Sequence, residues 1–182
     1  MIVNLVICTF NRAILLDRCL KSISDQVLSP KIQLELLVID NNSTDDTEDI
    51  VKKWQSLISF PLFYFFESQQ GKSFALNRGV LEAKGELICF TDDDVILHPN
   101  WLKEFYDAAL RYPEALGFGG KIIAQWPQML PDYLRTSRRC AFKAIVPEMD
   151  MGDSVRKFVS GESTSGCNSA FRKKIFDQGF RF

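Results

Sequence analysis

Residues 2–8 are apolar at every position except Asn4, the pattern of a strand covered on both faces. The period then changes. Leu15, Leu16, Cys19, Leu20 and Ile23 recur at helical spacing and predict an amphipathic helix over about 13–26. Residues 34–39 (LELLVI) read as a second strand. Ile50, Val51, Trp54, Leu57 and Ile58 read as the buried face of a second helix. Ser43 or Thr44 can cap it, and Asp45, Asp46, Glu48 and Asp49 fall where the helix dipole favours acids. A third strand is expected over 61–66, a helix from Ser73 to about Ala83, a stop at Gly85, and a fourth strand over 86–91 (ELICFT). Pro99 suits the first turn of a further helix that runs to Arg111 and is stopped by Pro113.

Strand and helix alternating through short links predict an α/β domain with a mainly parallel central sheet and helices on both faces. Ligands of such sheets bind beyond the carboxyl ends of the strands. Three loops leave those ends, over 9–12, 40–43 and 92–94, and all three are polar. The pattern is weaker afterwards. A strand is expected over 116–124, a long loop over 125–153 with one short helix near 133–140, a strand over 166–171 and a closing helix over 172–178. No repeat or low-complexity linker divides the chain, so one domain is expected.

Composition narrows the partners. The chain has 182 residues, 46% apolar and 25% charged, which predicts a packed core and not disorder. Its 22 basic and 23 acidic residues leave a net charge of -1. That lacks the basic excess of a duplex-binding protein and argues against nucleic acid. The longest apolar run, 62–66, is short against the roughly 18 residues of a membrane span. Met1 leads into a strand with no basic lead or cleavage site, so no secretory signal is expected. Cys8, Cys19, Cys89, Cys140 and Cys167 are odd in number and no two are three apart. They predict buried thiols in a reducing cytosol, not bridges or a zinc site. One histidine, His98, excludes a His-rich zinc site and leaves little room for a Ser-His-Asp triad.

Candidate chemistry centres on Asp92-Asp93-Asp94, which follows a buried strand. At about 5 Å and an effective dielectric near 20, one pair of these carboxylates costs roughly 3 kcal/mol, so something positive should offset them. Hard oxygen ligands suit Mg2+ or Mn2+ bridging to phosphates; the alternative is a solvated acidic turn. Asp40 ends the second strand and can accept from a base or ribose, or serve the turn, where Asn41 or Asn42 is tolerated. Asp45 and Asp46 read as cap residues. Lys72, after Gly71, opens a helix but lacks the P-loop pattern, since Phe66 stands where a glycine is required. Lys72, Arg12 and Arg78 are each a phosphate ligand or a solvated cation. His98 reads as a surface or capping residue. Trp101, Trp126 and Tyr133 either stack on a sugar or fill the core. Arg135, Arg138, Arg139 and Lys143 form a solvated face or meet an anionic acceptor or lipid headgroup.

Taken in order, several segments resemble family 2 glycosyltransferases. They are Cys8-Thr9-Phe10-Asn11-Arg12, Val38 to Asp45, Gly71 with Asn77-Arg78-Gly79, Gly85-Glu86, Phe90 to Asp94, Pro99, and Gly166 to Lys173. The resemblance implies a GT-A (Rossmann-like) fold, a nucleotide-sugar donor, most often of UDP, and inversion at the anomeric carbon. Thr9 and Asn11 would line the nucleoside pocket, Asp40 would bond the base, and Asp92 would lie near the ribose or donor sugar. Arg12, Asn42, Lys72, Asn77 and Asp93 complete the implied nucleotide-binding set. Asp94 would hold Mn2+ or Mg2+. Residues 1–98 would be the nucleotide-sugar half of a single domain and 99–182 a partial acceptor-side half.

The same resemblance places the general base, an Asp or Glu, beyond a segment like Gly179-Phe180-Arg181-Phe182. No catalytic residue is therefore expected within the chain, which reads as truncated; Glu162 and Asp177 do not match the motif position. The expected acceptor is a surface polysaccharide or glycolipid-like molecule, met in the cytoplasm at the inner face of the membrane. Three rivals remain in view. A sugar-phosphate nucleotidyltransferase would carry a glycine- and basic-rich first loop, unlike 9–12. A non-catalytic nucleotide- or metal-binding module would lack a base. A phosphatase of the HAD type needs an early Asp-x-Asp, and Thr9 stands there.

Overall fold

The computed structural model describes residues 1–126 and 148–182. The expected helix over 133–140, together with Tyr133, Arg135, Arg138, Arg139, Cys140 and Lys143, lies outside the described residues. In chain order the elements are β1 (Ile2–Thr9), α1 (Ala13–Ser24), β2 (Gln33–Asp40), α2 (Thr47–Gln55), β3 (Leu62–Phe66) and α3 (Lys72–Glu82). Then come β4 (Leu87–Asp92), α4 (Trp101–Arg111), β5 (Gly117–Gly119), β6 (Ser169–Arg172) and α5 (Lys174–Asp177).

One six-stranded sheet runs in the order β3-β2-β1-β4-β6-β5. The first four strands are parallel, and β6 lies antiparallel to both β4 and β5. Strand alternation sends Val3, Leu5 and Ile7 to a core shared with Leu16 and Leu20 of α1, Val51 of α2 and Leu102 of α4. Val6, Leu37, Ile88 and Phe90 face the other way, onto Ala75 and Val80 of α3 and Phe176 of α5. Helices thus cover both faces, which is why the parallel strands read as near-continuous apolar runs. Asn4, the polar break in β1, is fully buried and satisfied: its Nδ2 donates to Glu35 at 2.9 Å and its Oδ1 accepts the Gly85 N–H. Gly79 lets α3 approach β1, because a Cβ there would overlap a methyl of Val6. Among the described residues, no helix is long and apolar enough to cross a membrane.

Several sequence expectations shift. The second helix ends at Gln55, leaving Leu57 exposed and Ile58 only packed against the core edge. Residues 116–124 shrink to the three-residue β5, beyond which Ile122 pairs with Met149 as an isolated bridge. The late strand is displaced to Ser169–Arg172, and the closing helix is a single turn. Pro99 precedes α4 by two residues, and Asn100 is its N-cap; His98 is exposed, and its Nδ1 accepts the Asn100 N–H just ahead of the helix.

Candidate functional site

Strand register brings polar ends to one level. Thr9 lies opposite Asp40 across β1 and β2, and Cys8 opposite Asp92 across β1 and β4. Asp93, just past β4, is the buried member of the aspartate run, with a side chain 5% exposed. Thr9 Oγ1 donates to its Oδ2 at 2.8 Å, and Arg12 Nη1 donates to its Oδ1 at 3.1 Å. The same guanidinium nitrogen reaches Asp94 Oδ2 at 3.2 Å. Asp92 faces α3 and accepts from Lys72 Nζ at 2.7 Å. The repulsion among three adjacent carboxylates is therefore relieved by two side-chain cations, one from each flanking helix start.

The local fields follow from these contacts. Burial raises the pKa of Asp93 above the usual carboxylate range, against the pull of Thr9 and Arg12. Arg12 is held above its ordinary value by its hydrogen bond to Asp93 and by that charge. Burial works to lower Lys72, but the bond and charge of Asp92 outweigh it and leave the pKa raised. Cys8, beside Asp92, is pushed by burial up to about 12.

The first and second loops are laced together. Asn11, at φ +52, donates its backbone N–H to Ser43 Oγ at 2.9 Å, and its Oδ1 accepts the Thr44 N–H at 2.7 Å. Asp45 accepts the Ala13 N–H at 2.9 Å and the Thr47 N–H at 3.2 Å, so one carboxylate serves the first turns of α1 and α2. This corrects the expected cap: α2 begins at Thr47, and Ser43 and Thr44 hold Asn11 instead.

Asp40 is 3% exposed, and both its oxygens are occupied. Oδ1 accepts the Ser43 N–H at 2.8 Å and Oδ2 accepts the Tyr64 hydroxyl at 2.7 Å. Asn42, at φ +71, makes the turn and is exposed. Asn41 is buried and acts differently. Its amide donates to the Glu67 and Gln69 carbonyls at 3.2 and 2.8 Å, and its Oδ1 accepts the Gly71 N–H at 2.7 Å. It thereby holds the connection that delivers Lys72. Gly71 sits at φ +141, a conformation that favours glycine.

Thr9, Arg12, Asp92, Asp93, Asp94 and Lys72 thus gather in direct contacts, with Asn11, Asp40 and Asn42 in the adjoining loop. Asn77 is not among them. It exchanges two hydrogen bonds with the Phe182 backbone and lines a cavity of about 570 Å³ with Phe74, Arg78, Phe176 and Arg181. Arg78 pairs with Glu82 at 2.8 Å. Trp101 packs edge-on against Phe105 and donates to Asn168 Oδ1 at 2.9 Å. Tyr64 and the clamp made by Asn41 escaped the sequence reading. Tyr64 looked like one aromatic in an aromatic strand; only the β2–β3 register sets it beside Asp40.

Among the described residues, no three His, Cys, Asp or Glu side chains form a metal cage. Asp94, 47% exposed, is the carboxylate open to a further ligand. Such a donor set suits a hard divalent cation that takes one or two carboxylates, keeps waters and shares phosphate oxygens. Mn2+ or Mg2+ fits on those terms.

The mostly parallel six-stranded sheet with helices is the GT-A glycosyltransferase fold. It superposes on the mannosyltransferase PcManGT from Pyrobaculum calidifontis, solved with GDP-Man and Mn2+, at a TM-score of 0.71 and 22% identity, covering 99% of this chain and 47% of that one. It superposes on S. aureus TarS 1-349, solved with UDP-GlcNAc, at 0.66 and 17% identity, covering 100% and 48%. The chain belongs to glycosyl transferase family 2, whose family model matches residues 4–180. A GalNAc(5)-diNAcBac-PP-undecaprenol beta-1,3-glucosyltransferase of Campylobacter jejuni is 35% identical over 92 residues, covering 50% of this chain and 29% of that protein. The chain spans about a third of the length of the curated relatives it matches and about half of the solved chains.

Proposed function

We propose that this chain binds a nucleoside diphosphate sugar, with UDP as the nucleotide, for inverting transfer of the sugar to an acceptor hydroxyl. The observation that carries the reading is the convergence of Thr9, Asp92, Asp93, Asp94, Arg12 and Lys72 at the carboxyl ends of β1 and β4, beside Asp40 at the end of β2. Support comes from the family membership and from neighbours solved with UDP-GlcNAc and with GDP-Man and Mn2+.

Each residue has a part in that reading. Arg12 and Lys72 exchange carboxylate partners for phosphate oxygens, so the cations that balance the empty site also bind the diphosphate. Asp93 stays with Thr9 and keeps the first loop in register. Asp94, with Asp92 beside it, holds Mn2+ or Mg2+, which when bound supplies Lewis-acid stabilisation of the leaving diphosphate. Asn11 and Asn42 wall the nucleoside side, and Asp40 meets the base. Asn77, displaced toward the chain end, is withdrawn from the nucleotide set. The acceptor is assigned to the lipid-linked saccharides of the inner membrane face, on the strength of the undecaprenol-directed Campylobacter relative.

Calorimetric titration of UDP and GDP, with and without Mn2+, tests the reading on the wild type and on Asp94→Ala. UDP should bind with Mn2+ present, and Asp94→Ala should weaken it tenfold or more. Folded protein that binds no nucleoside diphosphate would refute the assignment.

A further inference from the structure

The Asp40 carboxylate is nearly sealed from solvent, yet among the described residues one residue outside its own loop holds it. Tyr64 lies on the edge strand β3, where Val38 pairs with Tyr64 and Asp40 pairs with Phe66. Tyr64 and Asp40 are therefore diagonal neighbours on one sheet face, within reach of a long side chain. The phenol packs against the core that α1, α2 and α4 share, and its hydroxyl donates to Oδ2 at 2.7 Å. The Ser43 N–H takes Oδ1 at 2.8 Å. Both partners are donors, so Asp40 serves as an acceptor on both oxygens. A third partner meeting it must also donate a proton.

We propose that Tyr64 is a positioning residue for base selection: by holding Asp40 as a fixed acceptor, it favours bases that present an imino N–H, as uracil does, over those that present a ring-nitrogen acceptor, as cytosine does. The inference rests on the donor reading above. Burial, followed by the bond and charge of Asp40, moves the Tyr64 pKa upward, so the phenol remains a donor at every working pH. With phenylalanine at 64 the ring still fills its place, but Oδ2 loses its donor and the carboxylate loses its orientation.

Three probes separate this role from plain structural support: UDP, CDP and inorganic pyrophosphate, each titrated with Mn2+ in a calorimeter. Pyrophosphate reports the phosphate and metal end of the site without a base. Tyr64→Phe should weaken UDP about 10-fold or more, from the low end of what a hydrogen bond to a charged group is worth upward, and narrow the preference for UDP over CDP. Pyrophosphate should bind as in the wild type. In an Asp40→Ala background, Tyr64→Phe should add nothing, because the pair acts as a unit. UDP and pyrophosphate weakening together would overturn the inference, as would UDP binding unchanged by Tyr64→Phe or additive effects in the double variant. Wild-type protein that binds neither UDP nor pyrophosphate would overturn the donor reading and this inference with it.

Discussion

Arg12→Gln removes the one guanidinium shared by Asp93 and Asp94. Its two contacts carry different weight. Asp93 is buried and, among the described residues, keeps Thr9 as its remaining partner, so the loss there is that of a hydrogen bond to a charged group, about 1.5–3 kcal/mol. Arg12 itself is 51% exposed, so solvent screening moves the figure to the low end of that range. Asp94 is half exposed and adds at most about 0.5 kcal/mol. The variant should therefore be less stable by about 1.5–2.5 kcal/mol at neutral pH, or about 4–8 °C in Tm for a chain of this size.

The pH dependence has a definite sign. Most of the Arg12 contribution requires Asp93 to be ionised. Asp93 has a raised native pKa, so taken alone it favours the fold most below its unfolded pKa and costs stability as pH rises through the native one. Arg12 limits that cost. The gap between wild type and variant should be full at neutral pH. It should shrink as pH falls through the raised native pKa of Asp93, starting above the usual aspartate range, and close in stronger acid. Thermal unfolding followed by circular dichroism, at neutral pH and in steps toward acid, measures both quantities. A variant as stable as wild type at neutral pH, or a gap that widens in acid, would refute the reasoning.

Other substitutions probe other contacts. Asn41→Ala leaves the Gly71 N–H and the Glu67 and Gln69 carbonyls without their partner, and should cost about 1–3 kcal/mol. Amide hydrogen exchange should quicken over 67–72 while β1 stays protected. Among the described residues Thr91 Oγ1 is buried with no partner, so Thr91→Val should be neutral or stabilising by up to about 2 kcal/mol in urea denaturation. A clear loss would mean that the hydroxyl is satisfied after all. Burial raises the thiol pKa of Cys8, Cys19 and Cys89, so maleimide at neutral pH should leave all three unmodified in the native protein. Peptide mass mapping checks this, with partly exposed Cys167 as the described thiol expected to react first.

The parallel half of the fold was readable because strands covered on both faces become near-continuous apolar runs, as in 36–39 and 87–90. Helix faces such as Leu16, Leu20 and Ile23 repeat their period cleanly. What sequence could not supply was distance across the sheet. The aspartate run demanded positive charge, and a metal was the obvious candidate; Arg12 and Lys72 come from helix starts remote in the chain and carry no local mark of that duty. Tyr64 and Asn41 act through cross-strand register and backbone carbonyls, which residue type does not announce. The bounds of β5 and β6 differ from the sequence reading because short antiparallel strands near the sheet edge need few apolar positions. Asn77 belongs to a family-like segment, yet its helical face turns it to the chain end.

The antiparallel pairing of β6 with β4 also has a consequence for synthesis. About 75 residues separate the two strands, so β4 leaves the ribosome long before the partner that covers its free edge. At about 5–20 residues per second, that interval lasts about 4–15 s. Throughout it, an apolar strand already docked on β1 offers a row of unpaired amides and carbonyls to any neighbouring nascent chain. Misassembly on crowded polysomes should therefore begin at 87–92, and slowing translation between 93 and 168 should lower the soluble yield more than slowing it anywhere earlier.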